Sequence, residues 1–131
     1  MNHVPLSDEL ERIGREIVDS AYRVHKELGP GLLESVYEEC MIYDLRRKGL
    51  KVDEQVYVSI EFDGQVLTRN KLRIDMLVED EVIVENKAVV EMNPLFQSQI
   101  LTYLKLSKKR LGYLINYNVP LIKNGIKRFV V

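Results

Sequence analysis

Glu85 and Lys87 stand two residues apart in the stretch IVENKAVVE, Ile83 to Glu91, which opens like a buried strand. That spacing puts both charges on one strand face, with Ile83 before them and Val89 after. Burying an unpaired charge in such a place costs on the order of several kcal/mol, so something must compensate. The preceding run, IDMLV, is interrupted by Asp75, and the EDE turn at 79–81 lets the two strands pair antiparallel. A turn centred near Asp80 places Asp75 opposite Glu85, about 5 Å away. Two converging carboxylates repel unless a cation lies between them or one takes a proton. A hard divalent ion such as magnesium accepts oxygen ligands of this kind, and Lys87 would stand one step along beside it. The alternative is an internal ion pair between Lys87 and one acid, holding two strands in register. A one-residue slip would also move Asp75 to the other face.

These residues need a frame. Leu10, Ile13, Ile17, Val18, Ala21, Val24 and Leu28 recur at helical spacing, with Ser7 as N-cap and GPG at 29–31 as the stop. A second helix is expected from about Leu32 to Lys48, with Leu33, Val36, Tyr37, Cys40 and Met41 on one side and Gly49 ending it. The period then changes to two. Val56, Val58, Ile60 and Phe62 alternate with polar residues, and the DG pair at 63–64 predicts a hairpin turn. The return strand is expected over Gln65 to Val78, bulged near RNK, with Leu72, Ile74, Met76 and Val78 on one face. A third strand begins at Val82. In the stretch from Met92 to Arg110, Asn93 can cap a helix and Pro94 fits its first position. LGYLINYN and IKRFVV read as closing strands around VPLIKNG. The order α-α-β-β-β-α-β-β predicts an α/β sandwich with a mixed sheet flanked by helices.

With 131 residues, 46% hydrophobic and 30% charged, the chain is expected to form one domain over 1–131. No apolar run reaches the roughly 20 residues of a membrane span, and the first residues lack the apolar core of a secretory signal. One cysteine, Cys40, excludes an internal disulfide and suits a cytoplasmic setting. His3, His25 and Cys40 are too few for an ordinary structural zinc site, so any metal should be oxygen-ligated. His25 reads as a helix-surface residue and Cys40 as inert core. The net charge is −1, but its distribution is uneven. Residues 92–131 hold Lys105, Lys108, Lys109, Arg110, Lys123, Lys127 and Arg128 and no acid. That asymmetry is either a nucleic-acid footprint or a solvated surface.

Asp75, nine intervening residues, then Glu85-Asn86-Lys87 resembles the D-x(n)-E-x-K signature of the PD-(D/E)XK nuclease superfamily. GLLESVY, Gly31 to Tyr37, adds a G-x-x-E-x-x-Y match, and VHKELGPGLLESVYEE and ILTYLKL extend the likeness. The chain is therefore identified as similar to the GxxExxY family from about Leu10 to Val131.

The resemblance implies a restriction-endonuclease-like core. It also implies that Asp75 and Glu85 hold magnesium (manganese as a substitute), joined by the backbone carbonyl of Asn86. Lys87 would stabilise charge or help activate water, and Glu34 of the first core helix would assist, either at the metal or in catalysis. Gln99 and Tyr103 fit a Q-x-x-x-Y pattern and share a helix face, where they could position metal, water or DNA. Each also has a plainer reading: Glu34 complements a helix dipole, Gln99 is a solvent-facing amide, Tyr103 a core aromatic. One position departs from the family: a histidine three residues before the glutamine is Phe96 here.

Metal-assisted phosphodiester hydrolysis fits these residue types. The expected function is a magnesium-dependent nuclease acting on DNA, with Lys105, Lys108, Lys109 and Arg110 contacting phosphates. The rival is an inactive nuclease-like module that binds nucleic acid or a protein partner. A homodimer would require an exposed apolar surface.

Overall fold

The computed structural model of the chain describes residues 4–131, so His3 lies outside the described residues. Its elements follow the expected order: α1 (Asp8–Leu28), α2 (Glu34–Arg47), β1 (Val52–Phe62), β2 (Gln65–Val78), β3 (Val82–Lys87), α3 (Pro94–Ser107), β4 (Leu111–Asn116) and β5 (Ile126–Val130). A single 3-10 turn, Ile122–Asn124, sits within VPLIKNG. The strands form one five-stranded sheet in the order β1-β2-β3-β4-β5. β3 and β4 are parallel and the other pairs antiparallel. A parallel pair needs a crossover, and α3 provides it.

Local chemistry explains the boundaries. Ser7 Oγ accepts the Leu10 N–H at 3.1 Å, and Asn93 Oδ1 accepts the Leu95 N–H at 2.9 Å. Pro94 follows at a helix position where an N–H would be unsatisfied anyway. Asp63 and Gly64 make the hairpin turn with φ of 54° and 75°. Between α1 and α2 the chain passes through Gly29 and Gly31 at φ of 70° and 100°, which a side chain would strain. The Tyr37 hydroxyl locks this loop, donating to the Gly29 carbonyl at 2.6 Å and accepting the Leu32 N–H at 3.0 Å. Its ring stacks on Tyr117 with centroids 4.5 Å apart. That lock sets where α2 begins, at Glu34.

Two cores flank the sheet. Ile13, Ile17 and Ala21 of α1 and Tyr37, Met41 and Leu45 of α2 pack on Val82, Val84, Tyr113 and Ile115. On the other face Ile100 and Leu104 of α3 pack on Ile74, Leu77, Ile83 and Leu114. Gly112 allows the close seating of α3, since a Cβ there would lie 3.2 Å from the Ile100 and Leu104 methyls. Between α1 and α2, buried Asp44 accepts from Ser20 at 2.7 Å and from Arg47 at 2.9 Å.

Four expectations are corrected. Leu72, Ile74, Met76 and Val78 do not share one face: Ile74 belongs to the α3 core, Met76 and Val78 to the α1–α2 core. β2 rolls over between them, at Asp75, opposite a stretch of β1 where Gln55 takes φ of 52° and the ladder omits its pair with Asp75. Phe62, read as inward-facing, is 75% exposed. β3 pairs only with Met76–Val78, so the rest of the β1–β2 hairpin projects as an arm whose register shifts between Ser59 and Glu61. Leu33, read as part of the apolar side of α2, is its N-cap and 73% exposed. His25 is buried rather than superficial, its Nε2–H donating to the Val119 carbonyl at 2.8 Å.

Candidate active site

β3 delivers Glu85, Asn86 and Lys87 in succession, and alternation sends the first and third toward α3 with Ile83. The β2–β3 ladder ends at Met76–Val84, and the next step sets Asp75 against Glu85. There the Asp75 N–H donates to Glu85 Oε1 at 3.4 Å. The opposition inferred from the turn at Asp80 is thus present. Glu85 is buried, and burial pushes its pKa well up, with the neighbouring Asp75 carboxyl adding to the rise and Lys87 opposing it. A cation placed beside the pair would restore the ionised form.

α2 adds two more acids. Glu34 opens the helix and Glu38 follows one turn later on the same face. Oxygens of Glu34, Glu38 and Asp75 all lie within 4.8 Å of one another. Burial raises both glutamates; the negative charges of Asp75 and Glu34 raise Glu38 further, while Lys87 partly offsets the effect on Glu34. Sequence reasoning missed Glu38. Its position four residues after Glu34 was the available signal. Arg73 reaches the group from β2, with Nη2 3.5 Å from Asp75 Oδ1, and was likewise missed.

Lys87 does not fill the space between the acids. Its Nζ stands 4.4 Å from the centroid of the Phe96 ring, a cation–π contact. Among the described residues no carboxylate comes within 4.0 Å of it, so the internal ion-pair reading is not what the fold adopts. Phe96, at the position where the resembled family has histidine, gives the ammonium an apolar seat.

α3 also presents Gln99 and Tyr103 on one face, with Gln99 Nε2 donating to the Tyr103 hydroxyl at 2.9 Å. Burial raises the Tyr103 pKa, and the charges of Glu85 and Asp75 raise it further, so the phenol stays protonated near the acids. Asn86 turns its side chain away: Nδ2 donates to Met76 Sδ at 3.1 Å in the opposite core. Among the described residues its buried Oδ1 has no partner. Only the backbone carbonyl of Asn86 remains as a ligand for anything on the Glu85 side. Behind Lys87 the chain is clamped. Tyr117 N–H donates to the Lys87 carbonyl at 2.9 Å, and the Asn116 amide binds Val89 through both its N–H and C=O.

Of the four basic residues expected at phosphates, three lie toward the other end of β3. Lys108, Lys109 and Arg110 follow the C-terminal end of α3 and precede Leu111, which pairs with Val82. That is the end of β3 remote from Lys87. Arg110 is engaged by the carbonyls of Val4, Pro5 and Val131. Lys105 occupies the last turn of α3. Charge counting found a basic segment but not which end of the sheet it reaches.

The sequence matches, over residues 11–129, the family described as the PD-(D/E)XK nuclease superfamily. No match was found among curated proteins or among solved structures. A match across nearly the whole chain, on a mixed sheet flanked by helices, places Asp75, Glu85 and Lys87 within a shared fold and not merely a shared spacing. The chain belongs to the PD-(D/E)XK nuclease superfamily.

Proposed function

We propose that this protein is a magnesium-dependent nuclease that hydrolyses phosphodiester bonds of DNA, and that within its superfamily it groups with the GxxExxY proteins. One observation carries the reading: Asp75 clusters with Glu34 and Glu38 and also meets Glu85 across the strands, beside a lysine that pairs with none of these acids. The donor set is all oxygen, as magnesium prefers. Burial, reinforced by the neighbouring carboxylates, raises the pKa values of its three glutamates, and a bound cation would favour their ionised forms.

Asp75 and Glu85 would hold the ion, joined by the Asn86 carbonyl and Glu34, with manganese able to substitute. Bound magnesium supplies Lewis-acid polarisation of a phosphoryl oxygen and a lowered pKa for water at the site. Lys87 offers a fixed positive charge to the phosphate as negative charge develops there. The Tyr103 hydroxyl accepts from Gln99 and so keeps its proton free to donate to a phosphate oxygen or a water. Glu34, raised toward its neutral form by burial, would be held ionised by the bound ion.

The test is cleavage of labelled DNA oligonucleotides with magnesium and with a chelator, for the wild type, Asp75→Asn and Lys87→Met. Magnesium-dependent cutting that disappears in both variants is expected. DNA binding by a folded wild type that never cuts would instead favour the inactive binding module.

A further inference from the structure

The carboxylate cluster must receive a polyanion, yet the basic segment after α3 sits at the other end of β3. Positive charge near the site comes instead from the β1–β2 arm. Lys71 and Arg73 alternate with buried Leu72 and Ile74, so they share the outer face of β2. They stand about 7 Å apart, two residues along an antiparallel strand. Across the ladder Arg73 pairs with Tyr57 and Lys71 with Ser59. Tyr57 is 63% exposed on the same outer face. Arg73 touches Asp75, and its charge acts on Glu34, Glu38 and Tyr103. The outer face of the arm therefore runs continuously into the site, with cations on one strand and an aromatic ring on the other. Val56 and Val58, by contrast, pack inward with the α3 core and hold the arm in place.

We propose that this outer face is the track for a single nucleic-acid strand entering the site, a reading that rests on the proposed nuclease function. Arg73 and Lys71 contact its phosphates, and Tyr57 stacks one of its bases. Phosphate contacts position a strand without reading its sequence, and a stacked base is tolerated whatever its identity. An exposed face carrying the Tyr57 ring suits a strand whose bases are unpaired, because duplex stacking hides those faces.

The experiment is fluorescence anisotropy with a labelled oligothymidylate and a labelled duplex, with calcium in place of magnesium, for the wild type, Lys71→Gln and Tyr57→Ala. Both substitutions are exposed, and thermal melts verify that the variants remain folded. Tyr57→Ala is expected to weaken single-strand binding about tenfold with little change in salt dependence. Lys71→Gln is expected to flatten the slope of log affinity against log salt by about 0.7. Unchanged affinity and slope in both variants overturns the track, as does tighter binding of duplex than of single strand. Cleavage in magnesium keeps the two ideas apart. A wild type that binds through the arm but does not cut removes the nuclease reading and keeps the track. A wild type that cuts while both arm variants bind and cut normally removes the track and keeps the nuclease.

Discussion

The side-chain amide of Asn116 closes on the backbone of Val89 from both sides, accepting its N–H at 3.1 Å and donating to its C=O at 3.0 Å. The same Oδ1 accepts the Asn118 N–H at 3.1 Å. Asn116 thereby substitutes for a strand neighbour where the β3–β4 ladder has ended, two residues beyond Lys87. Replacing it by alanine removes the side-chain partner of three half-buried backbone groups. Asn116→Ala should cost about 2–3 kcal/mol in chemical denaturation and lower cleavage more than magnesium affinity, because Lys87 loses its brace.

Lys87 separates charge from packing. Lys87→Met keeps an apolar chain over Phe96 but removes the ammonium. Cleavage should fall on the order of a hundredfold or more, while the melting temperature stays within a few degrees. A variant that cuts normally would remove Lys87 from the chemistry.

Glu38 tests the larger acidic group. Glu38→Gln removes one charge from a cluster whose oxygens lie within 4.8 Å. If Glu38 helps to hold the ion, calorimetry should show magnesium affinity about tenfold weaker, with Gln55, which donates to Glu38 at 3.5 Å, keeping its contact. Equal affinity would assign Glu38 to the electrostatic surroundings alone.

The raised carboxyl groups fix a pH dependence. For Glu85 the folded pKa lies above its ordinary value of 4.5. The folded state then binds more protons than the unfolded one above that pH, so this group's contribution to metal-free stability declines as pH rises through the folded value. Glu34 and Glu38 shift the same way. Magnesium requires the ionised forms, so its affinity should climb from pH 5 to pH 8, and with it the melting temperature gained on adding the ion. A stabilisation by magnesium that is flat across that range would contradict the assignment of these acids.

Asn86 is expected to behave differently from its neighbours. Its side-chain amide is buried, with the oxygen unpartnered among the described residues. Asn86→Leu should be neutral or stabilising, up to a few degrees in melting temperature, because an unsatisfied polar group is removed. Magnesium affinity should persist if the ligand is the backbone carbonyl.

How much of this could be read from the sequence depended on whether the information was local. Ser7, Asn93, Pro94 and the Asp63–Gly64 turn declare their structure within a few residues, and all of them behave as read. The Asp75–Glu85 opposition was also legible, because one short turn between two strands fixes the register. Glu38 and Arg73 were not, since their roles depend on how α2 packs against β2, contacts between residues 34–38 and 73–75. The roll of β2 escaped because a period of two presumes a strand that keeps its faces. Phe62 was misread for a related reason: alternation signals amphipathicity, but it does not say whether anything lies opposite. Lys108, Lys109 and Arg110 were placed by composition, and composition carries no direction along a sheet.

The roll at Asp75 has a consequence for the life of the chain before it is fully folded. Ile74 belongs to one core and Met76 to the other, so Asp75 is covalently strung between them. Neither core alone fixes its orientation. A nascent or partly unraveled molecule that has closed only one layer therefore has its acids scattered and no working centre. The seam would make the proposed hydrolysis conditional on complete folding, and loss of activity should precede loss of helix content when the protein is gently destabilised.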